Sequence, residues 1–472
     1  MSDRRPFRLA TSSTRMLAGT LVSVAAVVAV VTAISLPWPT LAHEPVQVEA
    51  LPAASDSVLV CDGGLVSIGV DAADAAGLAL AATQSVTSGV LAGFPEPLEE
   101  SLQSSVSSGE NGPLAFTAEP QNRVRTDVAA SGATTVTTED LSGYAASACQ
   151  PALLESWLVG GSASTGAADL VVVSNPGDVA ATVELTVFGA DGMITPPGGS
   201  EQVLPAKTQR VFPLAGLLLG EESPVVRVTA VGTPVHASLQ TSLTRTLVAV
   251  GVDQVGSIAQ AATEQHVVGV QVAAAPGEGG TSGSSSILRV LSAGASATAT
   301  VTVTQSGAID PYSDAQTVPL SEGIPVEVDL GDLAVGTYSV AVSADAPVVA
   351  AVRQASGEDE GDDFAWYASA PRIDTPSLFA APTGPAPVLT LVNDAAEDAT
   401  VTIVSDDGEF RLELAVPAGS SRSTRLEART VYQLDPGGVG VRAGLSMSGD
   451  GALAGFPIWA ADAAALPITV YP

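Results

Sequence analysis

Carboxylates, a few aromatic residues, three histidines and two cysteines are the side chains of this sequence that could do chemistry. The densest group is Glu358-Asp359-Glu360-Gly361-Asp362-Asp363, five carboxylates in six positions, and Asp406-Asp407-Gly408-Glu409 adds three in four. Hard oxygen ligands at that density suit Ca²⁺. Neither run has EF-hand or RTX spacing, however, and an acidic chain places such runs in solvated loops in any case, so no metal site is assigned. Trp366-Tyr367 follows the first run closely, which puts the pair on a loop. With Glu358, Asp359, Glu360, Asp362 and Asp363 it forms the expected binding surface. Trp157 and Trp459 share the chemistry of carbohydrate stacking but fall in strand-like contexts, where packing is the ordinary role of an indole.

Nucleophilic catalysis needs a base beside the nucleophile. His43, His236 and His266 lie far apart, without metal-ligand spacing, and His236 sits in the alternating stretch Val235-His236-Ala237-Ser238-Leu239. There is no Gly-x-Ser-x-Gly elbow, and Lys207, the only lysine, has no serine three residues before it. The paired carboxylates of a glycosidase sit about 5–9 Å apart, which is a tertiary property. Four Trp and six Tyr in 472 residues nevertheless furnish few walls for a sugar cleft. No catalytic residue and no cofactor is therefore assigned. Eighteen basic against fifty acidic residues, a net charge of −32, exclude a nucleic-acid role, because a phosphate backbone must be met by clustered cations.

Cys61 and Cys149 are the only cysteines and cannot make a zinc site without a histidine pair nearby. A disulfide between them would close a span of 88 residues (149 − 61), worth about 4 kcal/mol in the chain-entropy model. Two separately buried thiols are the alternative. A disulfide implies an oxidising compartment, and the N-terminus supplies a route to one. Arg4, Arg5, Arg8 and Arg15 precede residues 16–36, which carry no charge and end at Pro37-Trp38-Pro39. As a helix these 21 residues rise about 31 Å, enough to cross a membrane, with the arginines held in the cytoplasm. A signal peptide cleaved after Thr40-Leu41-Ala42 is the competing reading. Both export residues 43–472.

The exported chain carries a domain-sized repeat. The stretches LVVVSNPGDVAATVELTVFGADG near Leu170, ILRVLSAGASATATVTVTQSGA near Leu288 and VLTLVNDAAEDATVTIVSDDG near Leu389 each give an apolar strand, a short connection, a Val/Thr-rich strand and a turn. Aligning Val183, Val301 and Val401 brings Asn175, Ala293 and Asn393 into register, at spacings of 118 and 100 residues. Val183, Val301 and Val401 alternate with Thr182, Thr300 and Thr400, the period of a half-buried antiparallel strand. Later in each unit VVRVTAVGTPVHASLQTS, TYSVAVSADAPVVAAVRQAS and VRAGLSMSGDGALAGFPIWA read as strand, tight turn, strand. About seven short strands per roughly 100 residues suggest immunoglobulin-like β-sandwiches.

The expected layout is therefore all-β: tandem immunoglobulin-like β-sandwiches behind an N-terminal transmembrane helix. A basic tail occupies residues 1–15, the signal-anchor 16–36 and a linker 37–55. A divergent β-rich domain at 56–150 precedes three sandwiches at 151–262, 263–370 and 371–472. Within the divergent domain, residues 58–61 read as a strand, 71–83 as a short helix, 101–108 as a Ser-rich loop and 134–138 as a strand.

Cys149-Gln150-Pro151, the run Glu155-Ser156-Trp157-Leu158-Val159-Gly160-Gly161, and residues 170–176 ending in Ser-Asn-Pro resemble a family of actinobacterial secreted or membrane-anchored proteins. Its members are known only as a domain of unknown function, often labelled large secreted protein. The likeness covers about residues 56–472, and one lysine against seventeen arginines suits a high-GC source. The resemblance implies no activity, cofactor or catalytic residue; such proteins are often encoded beside envelope glycosyltransferases, which favours an envelope role. The expected function is a non-enzymatic cell-envelope scaffold or interaction protein, with a glycan-binding module and an envelope hydrolase as alternatives. Its partners would be the membrane, through the N-terminal helix, and envelope proteins or glycans.

Overall fold

The structure is a computed structural model, and it describes residues 7–35, 48–50, 54–69, 77–106, 112–122, 124–275, 285–461 and 468–470. The chain divides into two compact units, Met1–Ala50 with Pro467–Pro472, and Leu51–Leu466. In the first, the helix Phe7–Ser35 has exposed side chains from residue 16 to 32, and Val48–Ala50 pairs antiparallel with Ile468–Val470. Among the described residues no helix is long and apolar enough to cross a membrane. Leu36, the end of the span read from the sequence, and the linker 37–47 lie outside them.

The second unit is almost entirely β. Its N-terminal part holds the sheet Gln150–Pro151, Ser57–Val60, Leu114–Ala118, Leu98–Ser101, and a second one of Ser142–Ala148, Ala129–Thr137 and Ser85–Gly89. Cys61 and Cys149 are bonded to one another. They sit just beyond the paired ends of Ser57–Val60 and Gln150–Pro151, so the bridge ties the first strand of this part to its last. Two expectations fail here. Leu78–Ala82, inside the stretch read as helix, is a strand paired with Leu65–Ile68, while residues 71–76 lie outside the described residues. Ala and Leu are strong helix formers, but helix propensity amounts to tenths of a kcal/mol per residue and pairing with a neighbouring strand outweighs it. The Ser-rich stretch carries the strand Gln103–Ser104, which adds parallel to Thr208–Pro213 of the first repeat.

The first and third repeats each form two sheets. In all three repeats the Thr/Val strands alternate as read: Val183, Val301 and Val401 are 1%, 2% and 0% exposed, whereas Thr182, Thr300 and Thr400 face solvent. The aligned asparagines have a common structural role. Asn175 Nδ2 donates to the carbonyls of Val179, Leu204 and Pro205, and its Oδ1 accepts from Gly177 N–H. Asn393 Nδ2 donates to Glu397 and Val416 carbonyls, and its Oδ1 accepts from Ala395 N–H. Each buried amide thus clamps the turn after its strand to the end of a neighbouring one. At the Ala293 position this clamp is replaced by Ser292, whose Oγ donates to the Ala295 carbonyl at 2.7 Å.

The second repeat departs from the strand-turn-strand reading. Gly336–Ala355 is one continuous strand of 20 residues. Its first half pairs with Ala297–Gln305 and Ala262–Val272, and its second half with Ser285–Ser292 and Phe364–Ala368, so seven strands share one sheet. The physical reason is turn chemistry. The corresponding turns in the other repeats use Gly232 at φ 102° and Asp450-Gly451 at φ 49° and 74°, whereas Ser343-Ala344-Asp345-Ala346-Pro347 has no glycine to supply positive φ. The C-terminal half of this sheet lies between two cores. Val349, Ala351, Phe364, Trp366 and Ala368 join the core of the first repeat, while Val348, Ala350, Val352, Ala365 and Tyr367 join that of the second. Tyr144 and Ala146, from the N-terminal part, pack into the core of the third repeat.

Candidate functional site

The acidic loop is where the sequence placed it, but its carboxylates do not converge. Asp359 and Glu360 are exposed, and Glu358 pairs with Arg245. Asp362 turns back on the loop, accepting the Asp359 N–H at 2.8 Å. Trp366 and Tyr367 are not on the loop. They belong to the strand Phe364–Ala368, 3% and 1% exposed, and therefore offer no stacking surface. Trp366 packs under the Arg289 guanidinium, 4.6 Å from the ring centroid, and Tyr367 lies so close to Gly455 that a Cβ there would collide with its ring. The cause is the two-core position of the strand, which leaves neither face to solvent.

Asp363, read as part of the exposed cluster, is fully buried. Its Oδ1 accepts the N–H groups of Val252 and Phe364 at 3.3 and 3.0 Å; its Oδ2 accepts those of Tyr144 and Leu453 at 3.0 and 3.1 Å. One carboxyl thus joins the N-terminal part and all three repeats. Burial pushes it up to about 8, against the four N–H donors, which favour the charged form.

Three more buried carboxylates act in the same way, Asp169 within the first repeat and Asp253 and Asp62 between parts. Asp169 accepts the Ser162 and Ser242 N–H groups at 2.6 and 2.7 Å, and burial raises it to about 7. Asp253 accepts the Trp366 N–H at 2.7 Å and is held well above the carboxylate range by burial, with the charges of Asp363 and Asp62 adding to the effect. Asp62 meets His236 Nε2 at 2.7 Å; burial would raise its pKa, but the His236 contact outweighs it and the net direction is down. His236 is 1% exposed, so the pair is a buried joint between the N-terminal part and the first repeat.

The solvent-reachable candidate lies elsewhere, where the connection into Ala262–Val272, the segment around Arg372–Ile373 and the end of Ala452–Pro457 meet. It is a cleft of about 360 Å³ bordered by Glu264, Gln265, Arg372, Asp374, Arg442 and Trp459. Arg372 and Arg442 are directly opposite in antiparallel strands. Between them Asp394 accepts Arg372 Nη1 on one oxygen and Arg442 Nε, at 2.8 Å, on the other. Arg372 Nε also reaches Asp374 at 2.9 Å, and Arg442 Nη1 donates to the Ala370 carbonyl at 2.8 Å. Burial raises Asp394, but Arg442, His266 and Arg372 more than offset it and hold the carboxyl below its usual range. His266 Nε2 is 3.7 Å from Asp394, and burial together with the Arg442 charge lowers the imidazole to about 4. Trp459 is half-buried, and its indole N–H has no hydrogen-bond partner among the described residues.

In the sequence Trp459 shares the chemistry of carbohydrate stacking but reads as packing, and Arg372, Arg442 and Asp394 carry no expected role. Nothing in their local sequence marks them, because strand register brings Arg372 and Arg442 together from 70 residues apart. Asp169, Asp253 and Asp363 did carry a signal. Each abuts an apolar run, Asp169 before Leu170-Val171-Val172-Val173, Asp253 after Val250-Gly251-Val252 and Asp363 before Phe364-Ala365-Trp366.

Residues 104–427 match a family of unknown function, DUF5719. The chain belongs to that family. The matched region begins at the Gln103–Ser104 strand and runs through Asp363 and Asp394 into the third repeat, so the DUF5719 span takes in most of the junction carboxylates. Asp62, Arg442 and Trp459 fall outside it. No curated protein matches the chain.

Proposed function

We propose that this protein is a non-enzymatic interaction scaffold of the cell envelope, held at the membrane by residues 16–36 and presenting the Leu51–Leu466 unit on the extracytoplasmic side. The observation that carries the reading is the use made of the buried carboxylates. Asp363 takes one N–H from each of four separate segments, a joint that stiffens a surface rather than activating a substrate. The Cys61–Cys149 bridge suits an oxidising compartment, and the net charge of −32 biases contacts toward neutral or cationic surfaces.

In-cell crosslinking followed by mass spectrometry tests the scaffold. A reproducible envelope partner is expected, and its recovery should fall when residues 358–361 are replaced by Gly-Ser while Asp362 and Asp363 are kept. Turnover of a peptidoglycan or polysaccharide fragment by the purified chain, abolished by one Asp or Glu substitution, would overturn the reading. For the anchor, protease added to protoplasts should leave a small membrane-bound stub. Release of a chain beginning at His43 would show cleavage instead.

A further inference from the structure

We infer that the cleft beside Trp459 binds a neutral sugar, one or two residues at the end of a glycan chain. This deepens the scaffold reading by naming what one of its surfaces holds. The volume of about 360 Å³ lies near the lower end of small-molecule sites, roughly 300–1,000 Å³, and matches a short saccharide better than a folded partner.

The lining has the two kinds of surface a sugar needs. An indole offers an apolar plane to the C–H face of a pyranose, and Trp459 is the half-buried tryptophan at the border, with Trp157 and Trp366 both in the core. Around it donors and acceptors alternate. Arg372 and Arg442 spend their Nε and Nη1 groups on Asp374, Asp394 and the Ala370 carbonyl, which leaves Nη2 on each as a donor. Asp374 and Glu264 each commit one oxygen, to Arg372 and to the Ser343 hydroxyl, and keep the other. Hydroxyl groups, which both donate and accept, fit such a rim.

Charge selects against the acidic alternatives. Two arginines face three carboxylates, Glu264, Asp374 and Asp394, and Asp394 sits between both guanidiniums. The arginines are thus neutralised from within, and the chain as a whole carries −32. An anionic glycan would meet net repulsion; a neutral one meets none.

The test uses the purified full-length chain in mild detergent, with maltotriose and chitotriose as neutral probes and trigalacturonate as the anionic one, read by saturation-transfer NMR and tryptophan fluorescence. At least one neutral probe should bind, with Trp459→Ala weakening it at least about tenfold and Trp459→Phe about threefold or less. Asp374→Ala, at an exposed side chain, should weaken binding without lowering Tm and serves if Trp459→Ala fails to fold. Absence of neutral-probe binding at about 10 mM, tighter binding of trigalacturonate, or unchanged affinity in both Ala variants would overturn the inference. Crosslinked partners that persist in Trp459→Ala would show the scaffold standing without the sugar site; absence of any crosslinked partner of the native chain alongside intact sugar binding would sink the scaffold alone.

Discussion

Replacing Asp363 by alanine should loosen the junction of all four parts of the Leu51–Leu466 unit at once. The carboxyl accepts N–H groups from Tyr144, Val252, Phe364 and Leu453, residues no more than 3% exposed. A buried donor left unpaired costs about 1–3 kcal/mol, so four cost roughly 8. Against this, the substitution removes a carboxyl whose burial is itself unfavourable. Its pKa rises from 3.8 to about 8, so at pH 7 the native group retains a proton that the unfolded chain has lost, worth about 4 kcal/mol. The net destabilisation expected at pH 7 is therefore about 4 kcal/mol.

The same shift fixes a pH dependence. Between about pH 4 and pH 8 the native state binds more protons at this site than the unfolded state does. The stability contributed by Asp363 is complete below pH 4 and is lost as pH rises through about 8. Asp363→Asn, which keeps one acceptor oxygen and leaves two N–H groups unpaired rather than four, should cost less than alanine and remove that part of the slope. Hydrogen exchange is the decisive assay. In Asp363→Ala the amides of Tyr144, Val252, Phe364 and Leu453 should lose protection together, while Asp362→Ala should leave them unchanged. Faster exchange at Phe364 alone, or an unaltered urea midpoint at pH 7, would refute the idea of a four-way joint.

The strand register predicts that Val301→Asp costs about 4 kcal/mol and Thr300→Asp little, since one buries an unpaired carboxylate and the other faces solvent; equal losses in urea titrations would mean the register is wrong. Cys61→Ser should lower stability by about 4 kcal/mol through loss of an 88-residue closure, and non-reduced peptide mapping of the native chain should show Cys61 joined to Cys149. Asn175→Ala and Asn393→Ala should each cost about 2–3 kcal/mol, because the carbonyls and N–H bound by each amide lose their partner. Ala293→Asn should not give the corresponding gain, as Ser292 already holds that turn.

Local sequence settled those features that depend on neighbours along the chain. The alternation of Thr and Val in Ala181–Gly189, Ala297–Gln305 and Ala399–Ser405 assigns each side chain its face, because a strand has a period of two whatever it pairs with. With only two cysteines the disulfide had one partner choice, and the Asn positions showed that the first and third repeats share a turn. What the sequence could not settle is where one strand lies between two sheets. Phe364–Ala368 has no polar alternation to display, since Phe364 and Trp366 enter one core and Ala365 and Tyr367 the other. Its neighbouring acidic run therefore pointed to a loop. Asp362 and Asp363 are identical in type and adjacent, yet one caps its own loop and the other joins four segments, a distinction made by the distant N–H groups of Tyr144, Val252 and Leu453. The cleft of Arg372, Arg442 and Trp459, with Asp394 bridging the two arginines, likewise exists only because strand register and sheet packing bring groups distant in sequence together, and no local pattern encodes a meeting of that kind.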